Sequence, residues 1–195
     1  MRRLVSSFVF LAAVAAPTRA QVPDVPTLDT LGANFRHDSI GISTPTDFDF
    51  LDGKWNFRFQ GRKSATEFGP ARRGIWTAHR SHDGLVIEDE FMVMNPDGSS
   101  GLTLTYRVYN KARKTWEIAG TSAKQGSPWA PGTSWSDGRD RFVVQTYGTG
   151  PDALITRIRY YAITKDHFLW RADGSTDGGK TWTRDFWKIE ADRAK

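Results

Sequence analysis

One carboxylate stands apart in this chain. It lies in the run Leu85-Val86-Ile87-Glu88-Asp89-Glu90-Phe91-Met92-Val93-Met94. In an extended strand successive side chains point to opposite faces, so Leu85, Ile87, Phe91 and Val93 share one face and Asp89 falls among them. Apolar surroundings disfavour an ionised carboxylate and raise its pKa unless a cation sits beside it. Such a group can hold or take a proton, which makes Asp89 the candidate catalytic acid or base. Arg159, with Arg157 and Arg171, belongs to later segments that can face it across an interior, and His79 is a second candidate proton carrier. The same parity admits plainer readings: a structural ion pair, or a strand turned so that Asp89 meets water.

Other chemistry is thin. His79-Arg80-Ser81-His82 has His-x-x-His spacing, but it straddles a strand end and a turn, where the rings need not converge, and no third ligand is identifiable. No metal site and no cofactor are expected. Glu88 and Glu90 share the face opposite Asp89, the usual place for solvated carboxylates. The chain holds no cysteine, which excludes thiol catalysis, thiolate metal sites and a disulfide framework. Nucleophile elbow, phosphate loop, dinucleotide fingerprint and zinc-protease motif are absent from the sequence.

The elements that position these residues are strands. From Asp47 onward, β-branched and aromatic residues form runs at 54–60, 73–80, 85–94, 101–109, 114–121, 132–137, 140–148, 153–163, 167–172 and 181–189. Between them stand Asp83-Gly84, Asn95-Pro96-Asp97-Gly98, Asn110-Lys111, Asp137-Gly138, Gly148-Thr149-Gly150, Lys165-Asp166 and Asp177-Gly178-Gly179, all hairpin chemistry. Short links make neighbours in sequence neighbours in space. The expectation is an all-β, antiparallel, up-and-down β-barrel of about 8–10 strands over residues 47–190. Residues 21–46, with Pro23, Pro26 and Pro45, read as an extended lead with one helical turn near Leu28–Phe35.

A family resemblance rests on an ordered set of motifs. These are Leu51-x-Gly53-x-Trp55, Asp83-Gly84-Leu85-Val86-Ile87-Glu88-Asp89, Gly101-Leu102-Thr103-Leu104 followed by Tyr106, Tyr109 and Trp116, and Ser175-x-Asp177-Gly178-Gly179-Lys180-Thr181-Trp182. Together they resemble a family of bacterial exported lipocalin-like domains of unknown function. The resemblance implies a calycin-type barrel in which Gly53 allows a tight turn and Trp55 plugs the closed end. The Thr-Asp-Tyr loop signature of true lipocalins is missing. Ser175–Trp182 also matches the Asp-box of sialidase-type propellers, but a single copy cannot build a propeller of at least four blades. It reads instead as a capped hairpin.

Eight Trp, twelve Phe and five Tyr supply the walls. Trp55, Phe57, Tyr106, Trp116, Phe142, Phe168 and Trp187 are assigned to the core. Phe57, Ile87, Phe91, Tyr106, Trp116 and Trp170 are the expected ligand-facing residues. Trp129 and Trp135 join them from a Gly/Pro/Ser-rich segment that either lids the barrel mouth or plugs a gap. No basic groove accompanies these rings, so nucleic acid is not expected as a partner.

The N-terminus reads as an address. Arg2 and Arg3, an apolar run from Leu4 to Ala16 and the small Ala20 describe a secretory signal peptide over residues 1–20, too short to span a bilayer. Its loss removes Arg2, Arg3 and Arg19 from 27 basic residues, leaving 24 against 22 acidic ones and a net charge of +2. The expected protein is therefore exported, periplasmic or secreted, without a stable membrane anchor, and binds a small hydrophobic or aromatic molecule inside its barrel. An enzyme using Asp89 with an Arg or His is the alternative. A packed scaffold for protein interaction is the second.

Overall fold

The structure is a computed structural model and describes residues 43–122 and 129–195. The signal peptide, the helical turn near Leu28–Phe35 and most of the lead lie outside the described residues. Ten antiparallel strands follow one another: β1 (Gly53–Gly61), β2 (Arg72–Ser81), β3 (Val86–Met94), β4 (Ser100–Asn110), β5 (Thr115–Ser122), β6 (Ala130–Ser136), β7 (Arg141–Tyr147), β8 (Leu154–Tyr161), β9 (His167–Ser175) and β10 (Thr183–Arg193). Each pairs with its neighbour in sequence, and β1 pairs with β10, so the sheet closes as an up-and-down barrel with no free edge. Every expected strand is present. This is the anticipated lipocalin-like, calycin-type architecture.

Boundaries differ where charge or proline disguised a strand. β10 runs four residues past the expected end because Trp55 pairs with Arg193 and Asn56 with Asp192 in the seam that closes the barrel. β6 begins at Ala130 despite Pro131, which occupies only its second position and so costs little pairing.

One end of the barrel is sealed. Residues 43–52, including the 3-10 turn Asp49–Leu51, cross beneath it and insert Phe48 and Leu51, both fully buried with Trp55, Trp116 and Phe168. Edge-to-face packing sets these rings, with Phe48 5.6 Å from Trp116 and Trp55 4.8 Å from Phe168. Trp55 Nε1 donates to Leu51 O and Trp116 Nε1 to Thr44 O, both at 2.9 Å, so the indoles leave no polar atom unmet. Arg193 stacks over Trp55 at 4.2 Å and donates to Asp52 O and Phe50 O. Gly53 has φ +110°, and a Cβ there would meet Arg193 at 2.8 Å, which is why glycine precedes this tryptophan.

A second apolar cluster lies on the outer wall. Trp135, Val144 and Ile155 are buried there with Phe142 and Trp182 packed against them. Trp182 belongs to the hairpin read as an Asp-box. Asp177 accepts from Thr181 N and Oγ1, Trp182 Nε1 donates to Gly179 O, and Arg157 stacks on Trp182 at 3.7 Å. The motif is a hairpin clasp. Phe142 therefore belongs to this outer cluster and not to the interior core.

Candidate binding cavity

Above the sealed end the interior opens into a cavity of about 310 Å³. Seven aromatic side chains line it: Phe59, Trp76, Phe91, Tyr147, Tyr160, Trp170 and Trp187. A polar strip crosses it on β4, where Thr103, Thr105 and Arg107 point inward. Toward the open end the space widens into a vestibule of about 510 Å³ that shares Arg72, Phe91, Thr103, Tyr147 and Trp187 with the cavity.

Asp89 is inside, almost without solvent contact. Its partners come from the strands on either side. Trp76 Nε1 donates to Oδ1 at 2.9 Å from β2, and Arg107 Nη1 pairs with Oδ2 from β4. Ladder register explains both. Asp89 sits opposite Ala78 and Thr105, so Trp76 and Arg107 are its diagonal neighbours on the same face. Arg107 Nη2 also donates to Tyr160 Oη across the barrel at 3.2 Å, while Arg107 Nε has no hydrogen-bond partner among the described residues. Nearby, burial and the adjacent Tyr160 push the Tyr147 phenol well above the ordinary tyrosine range, so it stays a neutral donor, held 2.9 Å from Gln145 Oε1. Gln145 Nε2 is spent on Ala130 O at 2.9 Å. The Thr103 and Thr105 hydroxyls make no hydrogen bond among the described residues.

Several expected site residues lie elsewhere. Arg159 does not reach Asp89. Ile158 and Tyr160 of β8 face the cavity, so Arg157 and Arg159 face out, where Arg159 pairs with Asp140 and Arg157 with Asp173 at 3.4 Å. Arg171 is near Asp185 at 3.6 Å, also outside. His79 is exposed on β2, since Trp76 and Ala78 take the inward positions. His82 sits in a turn at φ +51° beside the Ser81 hydroxyl. No group of three metal-ligating side chains occurs among the described residues.

Of the expected ligand-facing residues, Phe91 and Trp170 line the cavity. Phe57 stacks behind Phe91 at 4.4 Å, and Ile87 is buried below it. Trp116 belongs to the sealed end. Tyr106 points outward and is 42% exposed, because Thr105 and Arg107 hold the inward positions of β4. Trp129 packs on the outer face of that tyrosine at 5.9 Å, and Trp135 stacks on Phe142 in the outer cluster. Neither forms a lid.

Arg107, Arg72, Trp76 and the two threonines are the site residues that sequence reasoning missed. β4 is inverted: Leu102, Leu104, Tyr106 and Val108 face outward while the polar set faces in. A hydrophobicity pattern alone therefore assigns its faces the wrong way round. The signal that finds Arg107 is the turn Asn95–Gly98. Counting back from its Met94–Ser100 pair places Thr105 opposite Asp89 and Arg107 one diagonal step away.

No protein-family model matches the chain, and no curated protein does. Among solved structures it is similar to Rv2717c from M. tuberculosis, with a TM-score of 0.53 and 14% identity over 80% of this chain and 100% of that one. An S-type phycobiliprotein lyase, CPES, from Guillardia theta gives a TM-score of 0.49 and 11% identity over 76% of this chain and 90% of that one. EF1p2_mFAP2b bound to DFHBI gives 0.42 and 11% over 78% of this chain and 100% of that one. At such identities, what this chain shares with Rv2717c is the fold: a lipocalin-like barrel.

Proposed function

We propose that this barrel binds a small, largely aromatic molecule in its interior. The observation that carries the reading is a cavity of about 310 Å³, lined by seven aromatic residues and, on β4, by two threonine hydroxyls that make no hydrogen bond among the described residues. Binding sites for small molecules combine such apolar walls with a few convergent polar groups, at volumes of roughly 300–1,000 Å³. A tightly packed scaffold has no reason to leave that space beside unpaired hydroxyls. Asp89 serves this reading as a fixed charge, since both of its oxygens are already engaged by Trp76 and Arg107.

The test is titration with N-phenyl-1-naphthylamine, whose fluorescence rises on leaving water. One saturable site is expected. Thr103→Trp, which fills the cavity from β4, should abolish the signal while circular dichroism stays barrel-like. An unchanged signal in that variant would place the probe outside the barrel and end the proposal. Export is proposed from the leader-like sequence Arg2–Ala20 alone. N-terminal sequencing of protein made in its native host should then begin at Gln21.

A further inference from the structure

The charges around the cavity narrow the ligand class. Its lining holds three charged side chains, Arg72, Asp89 and Arg107. Asp89 and Arg107 neutralise each other as a buried pair. Arg72 is left over. It starts β2 at the open end, lies over the Phe59 ring at 4.7 Å and donates from Nη1 to the neutral amide of Asn95 at 2.8 Å. No carboxylate pairs with it among the described residues. Among the described residues Arg72 is also the one charged residue in the vestibule lining.

We propose that the ligand is a planar aromatic molecule with a single anionic group, its rings held in the cavity and its acid held by Arg72 at the mouth. This rests on the ligand-binding reading above. Stacking on Phe59 and the bond to Asn95 fix the guanidinium plane before a ligand arrives, and a guanidinium carries five N–H donors, of which Asn95 takes one. The remaining donors suit a carboxylate, which can accept two parallel bonds from such a fork. Aromatic walls exclude water and so strengthen that attraction relative to a surface site. A cationic ligand would meet a net positive lining. A neutral one would dehydrate part of the guanidinium with nothing in return. The cavity volume accommodates about two fused rings, with the acid in the vestibule.

The test uses 2-naphthoate and 2-naphthamide, which share a ring system and differ in charge, titrated by calorimetry into the mature protein near neutral pH. The expected result is roughly tenfold or greater preference for the naphthoate, the size of a charge-assisted hydrogen bond. Arg72→Gln should erase that preference, chiefly by weakening naphthoate binding. Equal affinities for the two probes in the unsubstituted protein would overturn the anion assignment and leave cavity binding intact, as would a preference that survives in Arg72→Gln. Binding of neither probe would overturn both. The matched comparison in the unsubstituted protein decides the matter even if the variant folds poorly.

Discussion

At the sealed end Phe48, Leu51, Trp55, Trp116 and Phe168 are completely buried, and both indole N–H groups there donate to backbone carbonyls of the crossing segment. Farther up the barrel Phe91, Trp170 and Trp187 surround space instead of one another, beside threonine hydroxyls with no partner among the described residues. Both regions use the same residue types on the same alternating strands. They differ in whether protein groups satisfy what the strands point inward. Satisfied aromatics hold the fold together; unsatisfied polar groups beside aromatics mark the place for something else.

The largest test of this contrast is the buried pair that divides the two regions. Asp89→Asn leaves Arg107 charged and unpaired in the interior, and about 3–5 kcal/mol of stability should be lost in chemical denaturation. Replacing both members with apolar residues, Asp89→Leu with Arg107→Met, should recover most of that loss. Failure of the double variant to recover would mean that the pair contributes more than mutual neutralisation.

Next come single tryptophans from each region. Trp116→Ala removes a fully buried ring and one of the two hydrogen bonds that Thr44 O accepts, so about 3–5 kcal/mol should go, with probe affinity falling only as unfolding sets in. Trp170→Ala, at the cavity wall, should cost less stability and weaken N-phenyl-1-naphthylamine binding by roughly tenfold while the protein remains folded. If the two variants behaved alike, the division between packed end and binding end would be wrong.

A smaller effect concerns Tyr147. Its phenol is held above the ordinary value by burial, so the folded state keeps a proton that the unfolded state releases near pH 10. Stability should therefore begin to fall as pH rises past about 10, and Tyr147→Phe should flatten that decline. Absorbance titration should show one tyrosine that ionises only with unfolding.

The smallest lies outside the barrel. Hydrogen bonds from Thr181 and Ser175 hold the Asp177 carboxyl far below the ordinary carboxylate value of 3.8. A depressed carboxylate contributes stability that is present above its unfolded value and lost only as pH falls through its folded value. The Thr181 amide resonance should thus hold its position from about pH 5 to about pH 3, where an ordinary carboxylate would already be protonated.

Ten strands and their order were legible because each rests on local chemistry, while the plug at Trp55 was implied by the family resemblance. Alternation, Asx and Gly turns and a glycine at positive φ act over a few residues, and short links then force neighbours to pair. That Asp89 shares a face with Ile87 and Val93 was equally legible, since the parity of β3 is strict; that this face turns inward was left open and came from the structure. Its partner was not. Arg107 lies on a strand whose apolar residues face out, and the three arginines expected in its place sit on outward positions of β8 and β9. Trp129 and Trp135 read equally as a lid or a gap plug because rings in a loop look alike before the sheet curls; closure put both on the outer wall. The sequence by itself thus determined where the chain extends, turns and alternates. Only the tertiary structure decided which charges meet and where space remains, because both depend on which face of each strand closure turns inward.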